Sequence, residues 1–135
     1  MKILGICHDV FICSACIVED GKILFAVPEE RLDRIKMSRV FPVRAIEECF
    51  RQTGLSMKDI DEVAVAWNPA LDAETSPPGF VNGRRWRGEH LHSIPARLLQ
   101  MGRHSAYELV TLRDLWQGAA PITYVDHYRS HFGNA

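Results

Sequence analysis

Long apolar runs are missing from this 135-residue chain. Stretches such as Ile23–Val27 and Val63–Trp67 fall far short of the roughly 18 residues that a bilayer-spanning helix needs. No leader is expected either: Met1-Lys2-Ile3-Leu4-Gly5 enters a strand-like pattern at once, without an apolar h-region or a small-residue cleavage site. Surplus charge of either sign is absent, with 16 Lys+Arg against 17 Asp+Glu and a formal net charge of −1. That balance argues against wholesale binding to nucleic acid or to a membrane surface. Cysteine is scarce, at four residues, and no second Cys-x-x-Cys accompanies Cys13-x-x-Cys16, which excludes a zinc ribbon. On a strand, residues three apart point to opposite faces, so this pair cannot grip one metal and is expected to be structural. Without an export signal the thiols are expected to be reduced and the protein cytoplasmic.

What is present is an ordinary globular composition, 47% apolar and 24% charged, at a length suited to one domain. Three short strands are expected first, over Lys2–Cys7, Ile12–Glu19 and Lys22–Val27. Asp20-Gly21 between the last two is a hairpin signal, and Pro28 should end the third strand. A charged stretch, Glu29–Arg39, follows. Phe41-Pro42 then opens a helix carrying Val43, Ile46, Glu47 and Phe50 at helical spacing, with Gly54 as its C′ residue. Ser56 and Asp59 have the spacing of a capping box. Val63–Trp67 reads as a buried strand. From Asn68 to Gly83 prolines and glycines break every pattern. Residues 84–103 hold five arginines against one glutamate, which a solvated helix face or a partner-domain contact explains better than nucleic acid. Helices are expected over Pro95–Gly102 and Ser105–Gln117, a last strand over Pro121–Val125, and a helix start over Asp126–Phe132. The order is that of an α/β chain, a partial actin-like (RNase H-like) half-domain with a mixed sheet and helices.

Three constellations could carry chemistry. His127 and His131 lie four apart, on one helical face, where two imidazoles could share a metal ion; two half-exposed histidines are the blander reading, and a metal would need a further ligand. His8-Asp9 ends the first strand, where a carboxylate can orient water or a metal and an imidazole can donate to phosphate or transfer a proton. A simple turn cap explains Asp9 equally well. Glu29-Glu30-Arg31 with Arg34 and Lys36 reads as a solvated loop unless it folds over an anionic ligand. Trp67, Trp86 and Trp116 suit core or interface anchors.

Gly5-Ile6-Cys7-His8-Asp9, Ser14 to Lys22, Glu29 to Lys36, Phe41-Pro42 with Ala45-Ile46, Gly54-Leu55-Ser56, and Val125-Asp126-His127 with His131 occur in one order. This series resembles the N-terminal part of the NodU/CmcH-type O-carbamoyltransferases. The resemblance implies a Kae1/TsaD-like domain on the actin-like ATPase fold, of which residues 1–135 would be the N-terminal portion, with a YrdC-like domain downstream and absent here. It implies that ATP and carbamoyl phosphate give carbamoyladenylate, whose carbamoyl group passes to the hydroxyl of a small-molecule acceptor. It also implies a divalent metal, iron being expected, on His127 and His131. His8, Asp9 and Lys36 would be catalytic, and Glu30, Arg31 and Lys36 would bind substrate or nucleotide. Val10-Phe11-Ile12 intervene after His-Asp where the family has small residues, and Tyr128 replaces the second histidine of a His-His pair.

Two rivals stand beside this reading. One is a non-catalytic fragment that binds a partner or forms a homo-oligomer through an open sheet edge. The other is a TsaD-like threonylcarbamoyl transferase or an actin-like phosphotransferase. Against a kinase, Asp9-Val10-Phe11 is not the Asp-x-Gly of a glycine-rich phosphate turn. Alone, the chain is expected to be inactive.

Overall fold

The computed structural model describes residues 1–8, 12–66, 90–101 (backbone alone for 90–93) and 120–126. Asp9, His127, His131, the expected loop over 68–83, the expected helix over 105–117 and the three tryptophans lie outside the described residues. The chain divides into two compact units, Met1–Asn68 with Pro121–Ala135, and Pro69–Ala120.

In the first unit, β1 (Lys2–Cys7), β2 (Ser14–Glu19), β3 (Lys22–Pro28), β4 (Glu62–Val65) and β5 (Ile122–Tyr124) form one sheet. Its order is β3-β2-β1-β4-β5. The hairpin-linked strands pair antiparallel, whereas β1–β4 and β4–β5 pair parallel. This is the mixed α/β sheet expected from the sequence. Asp20 and Gly21 both take positive φ, 48° and 80°, as a two-residue hairpin turn twisted with its strands requires. Met1 joins that turn: its carbonyl accepts from Asp20 N–H at 3.1 Å, and its ammonium group donates to Asp20 Oδ1 at 2.5 Å. Register shifts between Ile17 and Val18, leaving Leu24 as an extra residue on the edge strand.

The ends of β2, β3, β4 and β5 differ by one or two residues from the sequence reading. β2 begins at Ser14 because Ile12 is exposed in a bend and Cys13 bonds to a distant loop. β4 covers Glu62–Val65, its partners on β1 ending at Ile6. Pro28 closes β3 on the sheet edge, where its missing N–H costs no ladder bond.

Between β3 and β4 run α1 (Glu30–Asp33), α2 (Val43–Thr53) and a 3-10 turn (Met57–Asp59). Gly54 ends α2 with φ +70°, its N–H bonding to Phe50 O at 2.9 Å. The capping box is present: Ser56 N–H and Oγ–H both donate to Asp59 Oδ2, at 2.8 and 2.7 Å, and Asp59 N–H returns to Ser56 O. These bonds, the Ser56 hydroxyl foremost, hold the Asp59 carboxyl below its usual range. α2 packs over β2 and β3. Leu4, Ile6, Ala15, Ile17, Val63 and Val65 are buried alternately along their strands, and Ala45, Ile46 and Cys49 are buried on α2. All four cysteines are free; Cys13, just before β2, is buried, and Cys16, within β2, is half-buried.

In the second unit α3 (His90–Met101) begins five residues before the expected start, with Pro95 inside it. A proline there forgoes one helical bond and does not end the helix. Ile94 and Leu98, four apart, are buried. Among the described residues, no helix is long and apolar enough to cross a membrane.

Candidate functional site

α2 opens without a side chain of its own to cap it, because Phe41 and Pro42 carry no acceptor. A helix start leaves several N–H groups unpaired, and here they are satisfied from two sources. Val43 N–H turns back to Phe41 O at 2.8 Å, and Ile46 N–H bonds to Pro42 O at 3.0 Å. Ala45 N–H donates to Glu29 Oε2 at 2.7 Å and Arg44 N–H to Glu29 Oε1 at 3.3 Å. Glu29 is only 2% exposed, so the first acid of the charged stretch is a buried cap contributed from outside the helix. The sequence reading left it in a solvated loop. The one available signal was a helix start lacking any Ser, Thr, Asp or Asn.

With Glu29 anchored, the segment behind it folds into a compact loop. Leu32 and Asp33 N–H groups bond to Glu29 O at 2.9 Å each, starting α1. Arg34 then turns left-handed at φ 64°, and Met37 does the same at φ 56°. Neither is glycine, and such conformations need support from their surroundings. The support is polar: Ile35 N–H donates to Asp33 Oδ1 and Met37 N–H to Glu30 Oε2, each at 2.8 Å. Asp33 Oδ2 and Ser38 Oγ are buried and fall short of a formed hydrogen bond. The serine hydroxyl is nevertheless the leading influence holding the Asp33 carboxyl below its usual range, ahead of the Ile35 N–H.

The folded loop presents Glu30, Arg31, Arg34 and Lys36 around one groove of about 560 Å³. Three cations and one carboxylate, the latter engaged with Met37 N–H, make a surface suited to a multiply charged anion. Three of the expected site residues, Glu30, Arg31 and Lys36, therefore come together. Arg34 joins them, although the sequence reading left it off the binding set.

His8 stands one residue beyond β1. Its ring meets Phe41 edge-on, with centroids 5.2 Å apart and planes at 75°, and its Nδ1 lies 3.9 Å from Cys13 Sγ. Cys13 is bound on both sides to the charged segment: its N–H donates to Ser38 O at 3.2 Å, and its carbonyl accepts from Glu29 N–H at 2.8 Å. The end of β1 is thus tied to the loop that carries Lys36. Asp9, His127 and His131 lie outside the described residues, and the described residues hold no cluster of three metal-binding side chains.

A second groove, of about 630 Å³, lies on the sheet and is apolar. Its lining mixes small side chains such as Gly5, Cys16 and Ala64 with the larger Ile12, Ile23 and Val125. Burial raises the thiol pKa values of Cys7 and Cys16, and pushes Cys49 up to about 12. None of the three is an activated nucleophile.

A mixed sheet in the order β3-β2-β1-β4-β5 with α2 packed over β2 and β3 defines an α/β protein. The chain belongs to the family described as Carbamoyltransferase N-terminus, whose model matches residues 2–132. Nodulation protein NolNO of Sinorhizobium fredii is 45% identical over 51 residues, which are 38% of this chain and 8% of that protein. An uncharacterized 19.2 kDa protein in the syrM 5′ region of Rhizobium etli is 43% identical over 51 residues, 38% of this chain and 30% of that one. The uncharacterized protein sll1178 of Synechocystis is 36% identical over 72 residues, 53% of this chain and 12% of that one. The matched stretches thus span less than a third of each relative.

Proposed function

We propose that this chain supplies the N-terminal part of an ATP-dependent O-carbamoyltransferase site. Family membership supports this chemistry, and the groove of Glu30, Arg31, Arg34 and Lys36 is the observation that supports it on this chain. The donor would be carbamoyladenylate, made from carbamoyl phosphate and ATP. In the transfer step the acceptor hydroxyl oxygen bonds to the carbamoyl carbon. The bond from that carbon to the phosphate oxygen breaks, AMP leaves, and the hydroxyl proton passes to a base.

Each residue has a part suited to its chemistry. Lys36, with Arg31 and Arg34, offsets charge on phosphate oxygens. Glu30 keeps the loop in shape through Met37 N–H and borders the bound anion. His8, one residue beyond β1, and Asp9, next in sequence, orient the acceptor or the carbamoyl group. His127 and His131 would supply two imidazole nitrogens to a divalent metal such as iron, a donor type suited to such ions. When bound, that metal would polarise phosphate or carbonyl oxygens; its remaining ligands would come from beyond the described residues.

Titrating pyrophosphate and AMP into the purified chain tests the groove. Saturable binding lost in Lys36→Gln and Arg31→Gln supports the reading, and wild-type binding that survives both substitutions counts against it. Anaerobic titration of ferrous iron into wild type and a His127→Ala/His131→Ala double variant tests the metal pair in the same way.

A second reading has its own observation. On edge strand β3, Ile23 and Leu24 are 70% and 43% exposed, which suits a partner-binding or homo-oligomeric role without catalysis. Sedimentation of a concentration-dependent dimer that binds neither anion would favour it.

A further inference from the structure

Cys13 is placed with more care than a structural thiol needs. Its side chain is 1% exposed, and its backbone donor and acceptor both bond to the charged segment, at Ser38 and Glu29. Its sulfur faces His8 Nδ1 at 3.9 Å, and the same imidazole is held by Phe41 at 75°. Sulfur is a poor hydrogen-bond acceptor, whereas a thiol S–H can donate and a neutral imidazole nitrogen accepts well. The favoured arrangement is therefore S–H to Nδ1, which leaves the ring proton on Nε2. Burial of the thiol strengthens that preference.

We propose that Cys13 is a positioning residue for His8, its thiol donating to Nδ1 so that the imidazole is held as the Nε2–H tautomer and serves an oxygen-rich ligand as a hydrogen-bond donor, not as a base. The ligand chemistry is a phosphate or carbonyl oxygen. That part rests on the carbamoyl-transfer reading; the tautomer does not. A donor fixed before the ligand arrives needs no reorganisation when the ligand binds. The acceptor's proton must then go to another group, for which Asp9 is the neighbouring candidate in sequence.

The test uses the full chain with ¹⁵N-labelled histidine, read by two-bond ¹H–¹⁵N correlation at neutral pH. His8→Gln identifies the His8 signals by their loss. The expected wild-type pattern has Nε2 protonated and Nδ1 bare, with Nδ1 shifted by an accepted hydrogen bond. Cys13→Ser keeps that shift, and Cys13→Ala removes it. The infrared S–H stretch supplies an independent readout in the unaltered fold. One thiol band should sit at the lower, hydrogen-bonded frequency, vanish in Cys13→Ser and move up in His8→Gln. A His8 ring protonated on Nδ1, or a Cys13 band at the free-thiol frequency, overturns the proposal. Failure of pyrophosphate and AMP to bind while the tautomer persists removes the transfer reading and leaves the Cys13–His8 pairing standing.

Discussion

The two faces of the sheet are built from different side chains. Along β1, β2 and β4 one alternating set, Leu4, Ile6, Ala15, Ile17, Val63 and Val65, is almost wholly buried. The other set holds half-buried Ile3 and Val18 together with the smaller Gly5, Cys7, Ser14, Cys16 and Ala64, and these smaller residues border an apolar groove. Mostly large aliphatics fill space where a core closes; small residues keep a surface low so that another group can approach closely. Gly5 shows this most clearly. A Cβ built there would lie 2.6 Å from Cys16 Sγ, closer than atoms tolerate, so cross-strand packing at this point depends on glycine.

The largest effect that would break this contrast is expected on the buried face. Leu4→Ala should cost about 3 kcal/mol in a denaturant melt, through lost burial and the cavity left behind. Glu29→Ala comes next, at about 2 kcal/mol, because Arg44 and Ala45 N–H groups lose their acceptor at a buried helix start. Glu29→Gln should recover part of that loss. On the groove face, Gly5→Ala should cost about 1–2 kcal/mol by overpacking. Adding Cys16→Ala should relieve most of it, a coupling that a double-mutant cycle measures.

The smallest effect belongs to the outer surface of α2. Arg51 donates twice to Glu48, at 2.8 and 2.6 Å, and Gln52 donates once. These bonds lower the Glu48 carboxyl from 4.5 to about 2. Because the folded pKa is depressed, the contribution is present above the ordinary value and is lost as pH falls from about 4.5 toward 2. The stability difference between wild type and Glu48→Gln should therefore shrink across that window. It should remain small throughout, since the pair is solvent-exposed.

Features specified by near neighbours were legible in the chain. The Asp20-Gly21 turn, the Ser56–Asp59 box, the Gly54 cap and the period-two strands all depend on residues within a few positions of one another. Their physics is local backbone conformation and a short reach of side chain to backbone. Cys13, expected on one strand with Cys16, falls just before it, because its backbone bonds to Glu29 and Ser38. Arg34 was visible as a charge, but not as a member of the groove.

What tertiary structure alone decided is equally definite. Glu29 becomes a helix cap only because β3 delivers it to α2, 15 and 16 positions from its donors. Glu30, Arg31, Arg34 and Lys36 share a groove because two left-handed residues curl the loop that carries them. Cys13 meets His8, five positions away, and grips the Glu29–Ser38 segment by its backbone. The sequence by itself determined the strands, the turns, the helix and the kinship to carbamoyltransferases. Only folding chose which polar groups face one another, because buried hydrogen-bond donors are satisfied by whatever acceptor the packed chain brings within reach, however distant in sequence.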